Sequence, residues 1–262
     1  MVSQPIPIDE KYHMSSLEQS MRVLLYFKTD KPTASLEELH NALGINKAQL
    51  TRMLRTFESM DFIVREGNDY RLGVRVLELG KAFLGAMSLL DAAKAGMERL
   101  ATLTRHTVSV AILDGLEIVY VAIEQGRREV GIQTEVGGRH LAHATALGKV
   151  LLASLPEEEV RAMYKDRPLA RLTHRTIASF DELLDCLAQV RRSGYAIDDE
   201  ERGIGIRCIA APIQDHQGRT IAAVSVAAPI FHLSLDLIEE RAQLVCSVAL
   251  EISGRMGLVV RS

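Results

Sequence analysis

The spacing of apolar residues between positions 35 and 60 predicts two short amphipathic helices that follow each other closely. Apolar side chains that recur at helical spacing face the core of a helical domain. The first set is Leu36, Leu39 and Leu43, and the second is Leu50, Met53, Leu54 and Phe57.

Residues that start and stop helices flank both sets. Ser35 and Glu38 form a capping box before the first helix, and Asn46 can cap the second. Gly44 is expected to end the first helix, because glycine adopts the left-handed conformation of a C-terminal cap without strain. The turn Gly44-Ile45-Asn46 has the length that sets one helix across the other in a helix-turn-helix.

A strand-turn-strand pattern follows directly. Residues 62–65 and 69–72 flank Gly67-Asn68, a dipeptide typical of hairpin turns. The two helices and this hairpin predict a winged helix-turn-helix. The candidates for DNA contact lie on the exposed face of the second helix and in the wing turn, and they are Lys47, Gln49, Thr51, Arg52, Arg55 and Asn68.

Two amphipathic helices and a hairpin also occur in domains that bind no DNA, so the pattern has a purely structural alternative. The exposed face of the second helix favours DNA, because it is positively charged and its carboxylate, Glu58, comes only near the end. Its polar side chains can contact phosphates or base edges. We expect Lys47 to contact phosphate and the Gln49 amide to read a base.

Another helix is predicted before the helix-turn-helix. Ser15 and Glu18 form a second capping box. The helix that follows is expected to pack beneath the helix-turn-helix. Its apolar positions are Leu17, Met21, Leu24 and Leu25.

Residues 74–87 predict a helix that is apolar on more than one face. A helix of this kind often packs on something besides its own domain. We predict that it links two domains and contributes a dimer contact through Leu77, Leu79 and Phe83. The alternative is that it simply belongs to the second domain.

From residue 89 onward, apolar runs typical of strands alternate with helical patterns. Strands are predicted at 107–113, 116–123, 130–135, 195–198, 206–213 and 220–227, and helices at 91–104, 144–154, 156–164, 179–194 and from Ser234 onward. Asp114-Gly115 between two apolar runs is a strong hairpin signal. Antiparallel strands with helices packed on them define an α+β fold.

Four segments are therefore predicted. Residues 1–14 are expected to form a flexible tail, 15–73 a winged helix-turn-helix domain, 74–88 a linker helix, and 89–262 a second domain.

Composition places the chain among ordinary globular proteins. Of its 262 residues, 47% are hydrophobic and 25% charged, and the net charge of −3 allows a DNA reader whose positive charge is confined to one face. The apolar runs are too short to cross a bilayer, and the N-terminus lacks the pattern of a signal peptide. The 3 cysteines have no metal or disulfide spacing, which indicates a reducing cytoplasm.

The chain from about Ser15 to Leu258 resembles the IclR family of bacterial transcriptional regulators. The similar segments are Lys47 with Arg52-Met53-Leu54, Tyr70-Arg-Leu72, Leu77-Glu-Leu-Gly80, the segment from Leu141 to Ala153 around Thr145-Ala-Leu-Gly-Lys149, the segment from Asp198 to Ile213, and the segment from Ala222 to Pro229. This resemblance implies that the second domain is a GAF-like effector-binding domain. It also implies a homodimer, or a dimer of dimers, on palindromic double-stranded operator DNA, controlled by a small organic acid, sugar acid or aromatic compound.

The chain departs from the family pattern at several positions. Ala48-Gln49 stands where a Ser/Thr pair is frequent, which removes a phosphate-binding hydroxyl and adds a base-reading amide. Ala227 stands where a second serine is frequent, and His140 where an apolar residue is usual. These changes bear on the operator and on the effector.

The resemblance places a carboxylate effector between the start of the helix at Thr145 and the strands that carry Cys208 and Ser225. Free N–H groups at a helix N-terminus attract a carboxylate, and Asp198 could accept a hydrogen bond from a ligand hydroxyl. The candidate effector-binding residues are Ile132, His140, Thr145, Ala146, Leu147, Asp198, Ile206, Cys208, Ser225 and Ala227.

Other interpretations exist for the same residues. Cys208 could be a buried core cysteine, and Ser225 could bond its own backbone. Cys208, His143 and Asp198 could form a nucleophile set, and with His140 they could hold a metal, although the spacing is loose. The sequence carries no nucleophile elbow, phosphate loop or dinucleotide fingerprint, so we expect no cofactor, no metal and no catalysis.

We therefore predict a cytoplasmic transcriptional regulator whose operator binding is controlled by a small organic acid, from the catabolism of a sugar acid, an aromatic acid or a keto acid. The alternative is a metabolite-binding or hydrolytic GAF-like enzyme with a vestigial helix-turn-helix.

Overall fold

The computed structural model describes residues 13–28, 31–86, 89–126 and 135–258. The chain divides into two compact units, Met1–Ala86 and Met87–Ser262. Each unit buries apolar residues of its own. In the described ranges, no helix is both long enough and apolar enough to cross a membrane.

The first unit combines helices with a small antiparallel sheet. Its helices are α1 (Ser15–Leu24), α2 (Leu36–Leu43), α3 (Lys47–Ser59) and α4 (Val74–Ala86), and its strands are β1 (Thr33–Ser35), β2 (Ile63–Glu66) and β3 (Asp69–Leu72). The strand order is β1-β3-β2. The predicted wing hairpin is β2 and β3, and β1 adds an edge strand that the sequence pattern did not predict, since three residues are too few to show a period.

The turn of the helix-turn-helix has the predicted local chemistry. The Ser35 hydroxyl accepts from the backbone N–H of Glu38, while the Glu38 carboxylate accepts from the backbone N–H of Ser35 at 2.8 Å. Gly44 is left-handed, with φ 69°. The Asn46 side chain accepts from the Gln49 N–H at 2.9 Å. Side chains near in sequence therefore define both helix ends.

The prediction for α1 was wrong in two respects. Met14, rather than Ser15, precedes the helix and provides no side-chain cap, and the Glu18 carboxylate contacts the His13 ring at 2.8 Å. The helix also buries a different face. Val23 is fully buried, whereas the predicted core residues Leu17 and Met21 are exposed.

The second unit is built on a mixed-length antiparallel sheet. Its strands are β4 (Thr107–Asp114), β5 (Glu117–Glu124), β6 (Arg139–Leu141), β7 (Ala196–Asp199), β8 (Ile206–Gln214) and β9 (Thr220–Pro229), and its helices are α5 (Leu89–Thr104), α6 (Ala146–Ala153), α7 (Glu157–Tyr164), α8 (Phe180–Ser193) and α9 (Ile238–Arg255). The sheet order is β6-β5-β4-β9-β8-β7. The α+β fold class predicted from the sequence is confirmed.

Helices cover both faces of this sheet. Helices α5 and α9 pack on one face, where Val224 and Val226 of β9 are buried. Helices α6 and α8 pack on the other, together with Ala223 of β9. Because side chains alternate along a strand, Ser225 points toward the α6 side.

Several element boundaries of the second unit differ from the predictions, and β6 was not predicted. Ser234 precedes a short 3-10 turn, Leu235–Leu237, and its side chain does not cap α9. The helix predicted from Ala144 begins at Ala146, after a 3-10 turn at Ala142–Ala144. The predicted strand at 130–135 falls almost entirely outside the described residues.

Candidate functional site

The exposed face of α3 is centred on Arg52. Ala48, Arg52, Arg55 and Thr56 are all exposed. The guanidinium groups of Arg52 and Arg55 make no hydrogen bond or ion pair with any residue that the structure describes. Both are therefore available for phosphates or base edges.

The other predicted contacts on α3 have partners within the first unit. Lys47 forms an ion pair with Glu37, and the Thr51 hydroxyl donates to the Lys47 carbonyl at 2.8 Å. The Gln49 amide donates to the Gln19 side chain at 2.6 Å and is only partly exposed. Each of these side chains keeps further hydrogen-bonding capacity, but its present partner restricts its orientation.

The wing turn carries the remaining candidate. Asn68 is exposed in the turn between β2 and β3. Arg65 on β2 donates to the Gly67 carbonyl at 2.9 Å and so fixes the turn beside Asn68.

In the second unit, a cavity lies between the start of α6 and the sheet. About 360 Å³ of empty space is found here, including the part open to solvent. We call it the α6 cavity. Its lining residues are Thr107, Ser109, Tyr120, Thr145, Ala146, Leu147, Asp198, Arg202, Cys208, Ser225 and Ala227.

Strand register explains why distant residues meet in this cavity. Asp198 pairs with Cys208, and Cys208 pairs with Ala227. Ala227 in turn pairs with Thr107. One row of side chains thus runs across β7, β8, β9 and β4 on a single face of the sheet.

The next row places two serine side chains opposite each other. Ser109 of β4 pairs with Ser225 of β9. Both residues are more than nine-tenths buried, yet neither hydroxyl has a hydrogen-bond partner within the described ranges. Both residues line the cavity, so their hydroxyls can donate to a polar ligand or to water there.

The first turn of α6 lies close against the 3-10 turn that precedes it. A side chain at Gly148 would place its Cβ 2.2 Å from the Ala142 carbonyl oxygen, so the position requires glycine. The Thr145 hydroxyl caps the helix by accepting from the Gly148 N–H at 3.0 Å. The N–H groups of Ala146 and Leu147 belong to the first turn and have no acceptor within the helix. They line the cavity.

Asp198 combines a structural role with a position in the cavity wall. Its Oδ1 accepts from the backbone N–H groups of Glu201, at 2.8 Å, and Arg202, at 3.3 Å. Burial raises its pKa to about 6, an effect that Lys149 opposes and Glu201 adds to. Asp198 is thus mostly ionised at neutral pH and becomes protonated under mildly acidic conditions.

The raised pKa makes stability depend on pH. Between about pH 4 and about pH 6 the folded chain binds more protons at Asp198 than the unfolded chain, so stability falls as pH rises. Asp198→Asn keeps the Oδ1 acceptor and cannot titrate. We expect it to remove this component, on the order of 3 kcal/mol at most, and to be more stable than the wild type at neutral pH. Urea unfolding measures the free energy of unfolding of both proteins across this pH range. The same dependence on pH in both would contradict the prediction.

The residues near Asp198 oppose a catalytic or metal role. Burial raises the pKa of the Cys208 thiol well above its usual value, so the thiol stays protonated. The His143 ring contacts the Ala170 carbonyl at 3.0 Å. Among the described residues, no group of histidine, cysteine and acidic side chains is arranged to hold a metal ion.

Seven of the predicted effector residues line the α6 cavity. They are Thr145, Ala146, Leu147, Asp198, Cys208, Ser225 and Ala227. Ile206 lies at the start of β8, outside the lining. His140 is beside Tyr120, with ring centroids 5.6 Å apart, and also does not line the cavity. Ile132 lies outside the described residues.

Four lining residues were not predicted from the sequence. Thr107 and Ser109 belong to β4, Tyr120 to β5, and Arg202 to the loop after β7. The sequence did carry one signal for Ser109: a polar residue within the apolar run 107–113. Register alone reveals that it opposes Ser225.

The winged helix-turn-helix places this chain in the class of DNA-binding proteins, and the two units match established families. The IclR helix-turn-helix domain matches residues 16–67. The bacterial transcriptional regulator IclR C-terminal domain matches residues 81–254, more than half of the chain. The chain belongs to the IclR family of bacterial transcriptional regulators, as its motifs indicated.

Individual proteins show the same relationship. The HTH-type transcriptional regulator XynR of Escherichia coli is 33% identical over 216 residues, which cover 82% of this chain and 86% of XynR. The crystal structure of a transcriptional regulator from Rhodococcus sp. RHA1 has a TM-score of 0.83 and 33% identity, and the match covers 93% of this chain and 98% of that one. The family and these relatives are transcriptional regulators, and not enzymes.

A third protein shares the fold and was crystallised with a ligand. An IclR homologue from Microbacterium hydrocarbonoxydans, complexed with 4-hydroxybenzoate, has a TM-score of 0.84 and 24% identity. The match covers 92% of this chain and 99% of that chain.

Proposed function

We propose that a small organic acid binds in the α6 cavity and controls operator binding by this regulator. The observation that carries the proposal is the pair Ser109 and Ser225, two buried residues that line the cavity and whose hydroxyls have no hydrogen-bond partner in the described structure. The same cavity is lined by Ala146 and Leu147, the first two residues of α6.

The chemistry of the lining defines the class of ligand. N–H groups in the first turn of a helix attract a carboxylate, and the serine hydroxyls can donate to it. Asp198 can accept from a ligand hydroxyl. A hydroxylated acid, such as a sugar acid or a hydroxylated aromatic acid, satisfies both requirements. The 4-hydroxybenzoate bound by the Microbacterium homologue is a compound of this class.

Removal of one hydroxyl tests this cavity. We expect Ser225→Ala to weaken effector binding by about 1–2 kcal/mol, because a buried acceptor on the ligand loses its partner. Titration calorimetry of the full chain with 4-hydroxybenzoate, gluconate and galactarate measures the effect, followed by operator release in a gel shift.

The matched control is Ser247→Ala, since Ser247 is exposed on α9 and donates to the Leu244 carbonyl. It should bind every acid as the wild type does. If no acid alters operator binding, or if Ser225→Ala and Asp198→Ala both bind the active acid like the wild type, this cavity is not the effector site.

We further propose that the regulator binds a palindromic operator as a homodimer, with α4 in the contact. The two half-sites of a palindromic operator are related by two-fold symmetry, and a dimer with the same symmetry can bind both of them. Val74 is 61% exposed and Leu77 is 70% exposed on α4. Their spacing of three residues places them on one face of the helix, and large exposed apolar side chains close together mark interaction surfaces. Leu79, which is 57% exposed, lies on another side of the helix.

A charge on this surface should separate the subunits. We expect Leu77→Glu to raise the dimer dissociation constant at least about tenfold, because a carboxylate would be buried among apolar side chains, and to lower operator affinity in parallel. Sedimentation and fluorescence anisotropy measure the two quantities. Leu103→Glu, at an exposed leucine of α5, is the control. A Leu77→Glu monomer that binds a palindromic site at full strength would exclude this contact.

A further inference from the structure

The α6 cavity contains one charged group that the proposed acid-binding site leaves unused, the Arg202 guanidinium. Arg202 lines the cavity and is partly exposed. Its side chain has neither a hydrogen bond nor an ion pair with the residues that the structure describes. An arginine in a cavity wall without a counter-ion is ready to bind an anion, since its planar guanidinium can form two parallel hydrogen bonds with a carboxylate.

The position of the positive charge is visible in its effects on neighbouring groups. Burial and, second, the charge of Arg202 lower the pKa of His140 to about 4. Burial raises the pKa of Tyr120 to about 12 against the opposing effect of Arg202. The guanidinium also opposes the rise in the pKa of the Cys208 thiol, so its charge acts on groups of β5, β6 and β8.

The backbone of Arg202 is held in place on several sides. Its N–H donates to Asp198, and the preceding carbonyl of Glu201 accepts from the Thr176 hydroxyl at 2.6 Å. The Glu200 carboxylate accepts from the Gly205 N–H at 2.8 Å and so closes the loop. A loop fixed in this way loses little conformational entropy when its side chain binds a ligand.

The cavity is thus lined by two sets of donors that can bind acidic groups. One is the start of α6 with the hydroxyls of Ser109 and Ser225, and the other is Arg202. Asp198 also lines the cavity. As an ionised carboxylate it accepts a hydrogen bond from a ligand hydroxyl but does not bind a second carboxylate. A monocarboxylate can bind one set of donors and leaves the other to water.

We infer that Arg202 binds a second acidic group of the effector, so that the cavity selects hydroxylated dicarboxylic acids over hydroxylated monocarboxylic acids. This inference rests on the proposed function of the α6 cavity and makes its ligand class narrower. Arg202, which was not predicted as a site residue from the sequence, would then determine the preference for diacids.

Matched ligand pairs provide the test. Malate is compared with 3-hydroxybutyrate, in which a methyl group replaces one carboxylate, and galactarate is compared with its monoamide. Titration calorimetry is performed on the full chain for the wild type, Arg202→Gln and Arg202→Lys. Arg192→Gln, at an exposed arginine of α8, is the control.

The wild type and the Arg192→Gln control should bind at least one diacid about tenfold more tightly than its partner, as expected for a charge-assisted pair. In Arg202→Gln, the ratio of the two dissociation constants, monoacid over diacid, should fall to about one. Arg202→Lys should give an intermediate ratio, because lysine keeps the charge but not the planar fork. Thermal unfolding of each variant shows that the fold is intact.

Two results would overturn the inference. The first is a wild type that binds the monoacids as tightly as the diacids, and the second is an Arg202→Gln variant that keeps the preference for diacids. If monoacids release the operator and Ser225→Ala weakens them, the proposed function stands and only the role of Arg202 fails. If no acid of either kind binds, both fail together.

Discussion

Lys149→Met is expected to lower the free energy of unfolding by about 3–5 kcal/mol, the usual cost of removing one partner from a buried ion pair. Lys149 is 2% exposed on α6 and forms an ion pair with Glu201, which is also buried. The other carboxylate oxygen of Glu201, Oε2, is buried and has no hydrogen-bond partner among the residues that the structure describes. Without Lys149, the Glu201 charge would be left buried without its counter-ion.

The pair also acts on the cavity, because Lys149 opposes the rise in the pKa of Asp198. Loss of Lys149 should therefore raise the pKa of Asp198 further. Chemical denaturation of the full chain measures the stability. The double variant Lys149→Met/Glu201→Leu should recover most of the loss, since neither charge is then buried.

A surface ion pair provides the matched control. Arg161 and Glu157 lie four residues apart on α7, and both are exposed. Exposed pairs contribute about 0–1 kcal/mol, so Arg161→Ala should unfold nearly as the wild type does. Equal losses in Lys149→Met and Arg161→Ala would show that the buried pair has no special role.

The second large effect is expected on DNA binding. Arg52→Ala should weaken operator binding by about 1–3 kcal/mol if the guanidinium contacts a base edge. Arg55→Ala should weaken all DNA sequences alike and reduce the salt slope by about one if it contacts phosphate. Fluorescence anisotropy on operator and random duplexes, over a range of salt concentrations, distinguishes the two roles.

The contacts of the α3 side chains indicate which substitutions should weaken operator binding most. The Gln49 amide is bonded to Gln19, so Gln49→Ala should have a smaller effect than Arg52→Ala. Arg161→Ala, in the second unit, should leave operator affinity unchanged. If Arg52→Ala and Gln49→Ala both bind the operator as tightly as the wild type, α3 does not lie in the DNA groove.

The helix-turn-helix could be predicted well because its determinants are local. The capping box of Ser35 and Glu38, the left-handed Gly44 and the cap at Asn46 each involve residues that are close in sequence. The apolar spacing of α3 fixed its buried side. The same rules failed for α1, where the Glu18 carboxylate contacts His13 and the apolar stripe of Leu17 and Met21 is exposed.

The lining of the α6 cavity could be predicted only in part. Thr145, Asp198, Cys208 and Ser225 were found through resemblance to a family and line the cavity together. Ile206 and His140 were assigned by the same reasoning, but they do not line it. Small shifts in position along a strand decide whether a side chain reaches a cavity, and sequence similarity does not resolve them.

The sequence by itself determined the class of the protein, most of the helices and strands, the ends of α2 and the start of α3, because these depend on short-range spacing and on motifs. Only the tertiary structure placed Ser109 opposite Ser225, left their hydroxyls without partners and brought Arg202 into the same cavity. These relationships join residues of β4, β9 and the loop after β7, which are far apart in the chain. They depend on strand register and on the close packing of α6, and neither leaves a periodic signal in the sequence.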